Sequence, residues 1–278
     1  MWKLLSLLLL AGMAGAQGHL VLTEVCVTPN EGEFIEIYNN GSSAVDLTNY
    51  YICDLYGTSA TVNTFYPRIV AGAVTSNAND FLVRFPAGTV IAPAQVMTLA
   101  MSGSMYQGLF GSAPTFELLN TGIGIQMLTP PNGFIGSAPG LTNGDEVVML
   151  FYWDGANDRT YDIDYALWGD DLTRRVEKTG ISLDGPDGDT VPTPYMTDTA
   201  SASQSTISTA AHAIGSSFQR VDMSEGTEVH SGGNGYTGHD ETSEDMAVTW
   251  TTAAYTPGVV STGLQSNTWA EIKALYQD

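Results

Sequence analysis

Basic residues are scarce in this chain: 9 Lys and Arg stand against 30 Asp and Glu, a formal charge of -21. Such a field repels phosphate backbones and anionic membrane surfaces and attracts cations. Neither nucleic acid nor a membrane is therefore an expected partner. With 2 cysteines and 4 histidines, and with neither HExxH spacing nor a cysteine cluster, the inventory of a zinc enzyme is missing. No Gly-x-Ser-x-Gly elbow supplies a hydrolase nucleophile. The glycine-rich stretches "GLTNGDE" and "GIGIQ" open no long helix that would cradle phosphate. Past the N-terminus no apolar run is long enough to cross a bilayer. A charged content of only 14% with 43% hydrophobic residues excludes wholesale disorder.

The N-terminus carries the first positive signal. "MWKLLSLLLLAGMAGAQ" has a positive start at Lys3, a short apolar run over Leu4–Leu10, and the small-x-small trio Ala14-Gly15-Ala16. That order predicts a secretory signal peptide over residues 1–16. The expected location is secreted, periplasmic or at the cell surface. In that setting an isolated cysteine pair usually bonds, so a Cys26–Cys53 disulfide is expected.

Short strands and turns fill most of the rest. "HLVLTEVCV", "EFIEIYN", "AVDLTNYYICDLY", "DFLVRF", "VIAPAQVMTLAM" and the hairpin "DEVVMLFYW…TYDIDYALWG" alternate or run apolar between Gly, Pro and Asn turns. "TFYPRIV" is expected as a short edge strand, and residues 102–142 as a long loop with apolar pieces such as "TFELL". Residues of about 170–215 are polar, acidic and without period, and read as an insertion with at most a short helix. "SSFQRVDM" and "MAVTWTTAAYTPG" resume strand character. Residues 263–278 read as a short C-terminal helix with Trp269, Ile272 and Leu275 on one face. Many strands without βαβ alternation predict an antiparallel β-sandwich over residues 17–262.

The opening strands carry more than pattern. "LVLTEVCVTPNEGEFIEIYNNGSSAVDLTNYYICD" places Glu24, Glu33, Phe34, Ile35, Glu36, Tyr38, Asn39, Val45, Asp46, Leu47 and Tyr50 in order. These positions resemble the start of the lamin tail domain family, with Tyr50 where Trp is more usual. "FPAGTVIAPAQ" resembles its next segment, with Ala94 where Gly is common. The resemblance covers residues 20–170 and 216–259. It implies an all-β, immunoglobulin-like sandwich and an exported bacterial type of member. It carries no catalytic residue set, so these positions are expected to serve turns, sheet edges and core.

The acidic residues are unevenly spread: 20 of the 30 lie between Asp145 and Asp245, where Arg159, Arg174, Arg175, Lys178 and Arg220 are the basic ones. In "SLDGPDGDT", Asp184, Asp187 and Asp189 alternate with glycines that permit tight turns, a hard oxygen set suited to calcium. The spacing is not that of an EF-hand. Asp240, Glu241, Glu244 and Asp245 in "YTGHDETSED" form a weaker second set, most simply the polar entry to the last strand. Asp154, Asn157 and Asp158 suit a hairpin turn. Asp162 and Asp164 share one strand face and are read as structural rather than as an acid–base pair.

The sequence thus favours an exported, non-catalytic surface, matrix or protein-interaction module stabilised by calcium. Its expected partner is a protein or an extracellular polymer. Two alternatives stay open: a metal-dependent hydrolase, if the acidic loops converge on one pocket with His230 or His239, and a carbohydrate-binding module, if exposed aromatics lie coplanar.

Overall fold

A computed structural model describes residues 19–260. The expected signal peptide and C-terminal helix lie outside the described residues. In chain order the strands are β1 (Leu20–Cys26), β2 (Phe34–Asn39), β3 (Val45–Asp46), β4 (Tyr50–Cys53), β5 (Phe81–Arg84), β6 (Val90–Ile91) and β7 (Val96–Ser102). Helix α1 (Gly103–Phe110) follows, then β8 (Phe116–Leu119), β9 (Ile125–Gln126), β10 (Phe134–Ile135), β11 (Glu146–Tyr152) and β12 (Tyr161–Trp168). The chain closes with β13 (Ser182–Leu183), β14 (Thr193–Pro194), β15 (Ser216–Arg220), the single turn α2 (Met246–Thr249) and β16 (Trp250–Ala254).

Two sheets form an immunoglobulin-like sandwich. One has the order β16-β15-β1-β2-β7-β8-β9, the other β10-β5-β4-β11-β12. Apolar residues of both, among them Val25, Ile35, Leu99, Ile52, Val83 and Leu150, share one core. The pairing is antiparallel except for β7–β8 and β8–β9. For β7–β8 the exception follows from α1: parallel neighbours need a crossover of roughly a dozen residues, and residues 103–115 provide it.

The same helix corrects the expectation of a loop over 102–142. "GSMYQGLF" holds two weak helix formers, Gly103 and Gly108. Packing makes up for them: Tyr106 and Phe110 each meet the Phe34 ring edge-on at 5.6 Å, on the face of the seven-stranded sheet away from the main core. Gly111 then ends the helix with a left-handed φ of 76°. "TFYPRIV" is likewise a 3-10 turn over Tyr66–Ile69 rather than an edge strand, because Pro67 has no N–H for a ladder and pre-sets a helical φ. Ala94 has a φ of 58°, which accounts for the glycine common at that place in the lamin tail pattern.

The two cysteines are free, which overturns the expected disulfide. A bridge requires Cβ atoms that face one another at close range. Cys26 instead packs with Phe34, Ala100 and Tyr106 under α1. Cys53, on the other sheet, belongs to the main core. Thiol titration of the purified protein, unfolded without reductant, is expected to read both cysteines as free. A reading of none would restore the disulfide.

Candidate functional site

The site begins with a gap in a ladder. β1 is bulged between Leu22 and Glu24 and pairs with β15 only at Glu24 and Val25. On that side the backbone of Leu22 has no strand beside it, and an unpaired buried peptide is costly. Two side chains replace the missing strand. The Leu22 N–H donates to Asp164 Oδ2 at 2.5 Å, and Arg220 Nε donates to the Leu22 carbonyl at 2.8 Å. Arg220 also bonds Asp164 Oδ1 at 2.6 Å and Glu244 Oε1 at 2.5 Å, and lies over the Trp250 ring at 4.9 Å. Burial opposes its charge, but Asp164, Glu244 and Glu225 outweigh burial and raise its pKa.

A second enclosed cation ties down the insertion. Lys178 Nζ sits 2.7 Å from Asp162 on β12 and 2.9 Å from Asp198 further along the insertion. Tyr66 donates to the other Asp162 oxygen, and Asn234 donates to Asp198 at 2.6 Å. Desolvation works against the ammonium, yet the two carboxylates more than compensate and its pKa rises. One ammonium thus joins β12, the insertion and the loop before β16.

Beside Arg220 the carboxylates outnumber the cations. Asp164, Glu225, Glu228, Glu241 and Glu244 are all buried around that single guanidinium. His19 donates to Glu225 at 2.8 Å, and that bond raises the His19 pKa against burial. His239 Nδ1 stands 3.4 Å from Glu228, with its own pKa lowered, chiefly by burial. Burial, followed by the charges of neighbouring carboxylates, pushes Glu228 up to about 10 and Glu241 well above the ordinary range. His19, Tyr50, Asp162, Glu225, His239 and Glu241 line a cavity of about 30 Å³. That is room for a water or two, not for an organic substrate.

The residues expected from sequence fall into separate places. Asp184 and Asp187 come together with Asp158, one oxygen of each lying within 4.8 Å of the others. Asp189 turns back to accept the Val191 N–H at 2.7 Å. Of the second set, Glu241 alone lines the cavity. Asp240 caps the turn that follows by accepting from Thr242, Glu244 pairs with Arg220, and Asp245 accepts from Ser205. Asp154 closes its hairpin turn, as read from the sequence. The loop over 184–189 contributes nothing to the cavity beside His239, whereas His230 and His239 come together with Glu228, one ligand atom of each lying within 4.8 Å of the others. Tyr236 meets Tyr152 and Tyr161 at 84° and 67°, an edge-on cluster rather than a flat sugar platform.

Sequence reasoning missed Lys178, Asp198, Glu225 and Glu228 as members of a site. The available signal was the scarcity of cations in the acidic half, since a basic residue there is a natural partner for several carboxylates. The family-like glutamates proved structural. Glu24 accepts from Ser217 and from the Thr256 backbone at 2.9 Å, Glu36 from the Gly258 backbone at 2.8 Å, and Glu33 from Leu141 at 3.1 Å. Asn39 holds the turn after β2 through Gly41 and Ser43.

Compared with known proteins, residues 14–161 match the Lamin Tail Domain family, more than half of the chain. No curated protein matches the sequence. Among solved structures the chain is similar to a DUF4876 family protein from Bacteroides thetaiotaomicron VPI-5482. The identity is 14% and the TM-score 0.46, over 91% of this chain and 75% of that one.

Two predictions follow from the buried charges. Lys178→Ala leaves Asp162 and Asp198 enclosed without their cation, at an expected cost of about 3–5 kcal/mol. Urea unfolding measures it, and a loss below about 1 kcal/mol, the worth of an exposed pair, would contradict the arrangement. The second concerns pH. Burial raises Glu33, Glu36 and Glu146 each to about 7. Between their ordinary carboxylate range and about 7, the folded state binds more protons than the unfolded one, so stability falls as pH rises. Asp46, Asp158 and Asp171, held low by hydrogen bonds, act oppositely and lose their contribution as pH falls below the ordinary range. In chelator, the melting temperature should therefore be higher near pH 5 than near pH 7.5. The reverse order would refute the assignment of raised carboxyls.

Proposed function

This chain belongs to the Lamin Tail Domain family, and on that premise we propose an exported, non-catalytic interaction module of a surface or extracellular matrix, its acidic insertion held by calcium. The observation that carries the reading is where the charged side chains are spent. Lys178 and Arg220 face inward and fasten loops to the sandwich, and the cavity lined by Asp162, Glu225 and Glu241 has the size of a water site. A rigid sandwich with irregular loops fixed at one end suits display of a surface to a protein or polymer better than turnover of a substrate.

Calcium enters at Asp158, Asp184 and Asp187. Their oxygens lie as close as ligands of one ion. Asp184 Oδ1 is buried without a hydrogen-bond partner. Burial, then the charges of Asp158, Asp187 and Asp189, raises the Asp184 pKa, which marks a repulsion that a cation relieves. Extracellular sites of millimolar grade suffice for such a role.

Thermal melting tests the reading. At about ten times a millimolar dissociation constant, calcium should raise the midpoint by about 3–6 °C over chelator, and Asp184→Asn with Asp187→Asn should remove that gain. An identical calcium response in the double variant would reject calcium at this loop. Turnover of esters, phosphoesters or peptides with added divalent metals, abolished by His239→Ala, would overturn the non-catalytic assignment.

A further inference from the structure

The carboxylates beside Arg220 present a different problem from the exposed loop. Asp164, Glu225 and Glu241 come from three places: β12, the turn after β15 and the 3-10 turn over Glu241–Ser243. All three are enclosed, at 0%, 1% and 4% exposure. One oxygen of each lies within 4.8 Å of the other two. Two oxygens on opposite sides of one calcium, each about 2.3–2.6 Å from it, are about 4.6–5.2 Å apart. The three therefore already stand at the spacing of ligands to one ion.

Asp164 is bonded on both oxygens, by the Leu22 N–H and by Arg220, but the two glutamates are each short of a partner. Glu225 Oε1, Glu241 Oε2 and both oxygens of the adjacent Glu228 are buried with no hydrogen bond. Arg220 does not supply them: its short contacts go to Asp164 and Glu244, and its nearest approach to Glu225 Oε1 is 4.0 Å. Buried carboxylate oxygens without donors are seldom tolerated unless they pair or bind metal. From this geometry we infer that Asp164, Glu225 and Glu241 form a second cation site, taking a hard divalent ion of the calcium class.

The ligand set is all oxygen, which selects hard cations over zinc. The cavity of about 30 Å³ that Glu225 and Glu241 help to line admits one or two waters to complete a coordination shell. The ion would do for the loop over 221–245 what Lys178 does for the insertion, joining it to β12. This site goes beyond the calcium loop proposed above, because its residues, burial and role are different, and each can fail without the other.

The test uses the full mature chain, stripped with chelator, re-equilibrated with calcium, and assayed for bound metal by elemental analysis and for its melting midpoint. With Asp184→Asn and Asp187→Asn in place, one equivalent of calcium should remain bound and the midpoint should still rise. Adding Glu241→Gln to that background should remove both. Glu225→Gln serves as the second variant should Glu241→Gln fail to fold. The proposal is overturned if the Asp184/Asp187 variant retains no calcium. It is equally overturned if Glu241→Gln or Glu225→Gln binds as much as its parent, or if zinc is retained in preference to calcium and manganese.

Discussion

Arg220 holds the structure together where the backbone cannot. β1 is an interior strand of the seven-stranded sheet, but its bulge takes Leu22 out of the ladder on the β15 side. An interior strand with an unpaired peptide would be unstable. The guanidinium and Asp164 fill that place, one bonding the carbonyl and the other the N–H. Asp164 belongs to the opposite sheet, so this repair is also a strut across the sandwich. A fully buried arginine serves both needs here: replacing it removes one of the strand's hydrogen bonds along with a charge.

Once Arg220 and Asp164 are fixed, the irregular half of the chain has a frame to fold upon. The insertion contains only the short β13–β14 hairpin and isolated turns, too little regular structure to stand alone. It is attached through single bridges at Val176 and Ile207 and through Lys178, which lies at the foot of β12 beside Asp162. The two cations thus divide the work. One completes the sheet and holds Glu244 before the last strand; the other holds the insertion. Each is bound by two carboxylates, the usual condition for enclosing a charge.

This division bears on what the sequence disclosed. The sandwich was legible because its strands obey local rules: "EFIEIYN" alternates, and β11–β12 reads as a hairpin with a polar turn. The lamin tail pattern added the order of the pieces. Helix α1 was not legible, since its stability comes from Phe34 on a neighbouring strand rather than from its own glycine-bearing sequence. The disulfide expectation failed for a similar reason. Two cysteines in separate strand patterns carry no record of which sheet or face each occupies, and a shift of one residue along a strand reverses the face. The candidate site was half legible. Asp162, Asp164 and Glu241 drew notice, but their partners Lys178, Glu225 and Glu228 are distant in sequence and sit in segments without period.

An excess of carboxylates also hides a site by numbers, and the structure supplies a way to sort them. Most of the aspartates outside the core do backbone work. Asp46, Asp154, Asp171, Asp222 and Asp240 each accept an N–H two residues on, which is how irregular loops satisfy peptides that have no ladder. Glu24, Glu33 and Glu36 do the same at longer range by clamping passing chain to the sheet. For all of these the acidity is a source of acceptors, and the negative charge is incidental. Glu225, Glu228 and Glu241 differ because they are buried and yet leave oxygens with no donor. A carboxylate used for structure shows its bond, whereas one enclosed without a bond either keeps its proton or takes a cation. By that criterion the carboxylates beside Arg220, with Asp184 in the insertion and Glu146 on β11, stand apart from those that only satisfy backbone.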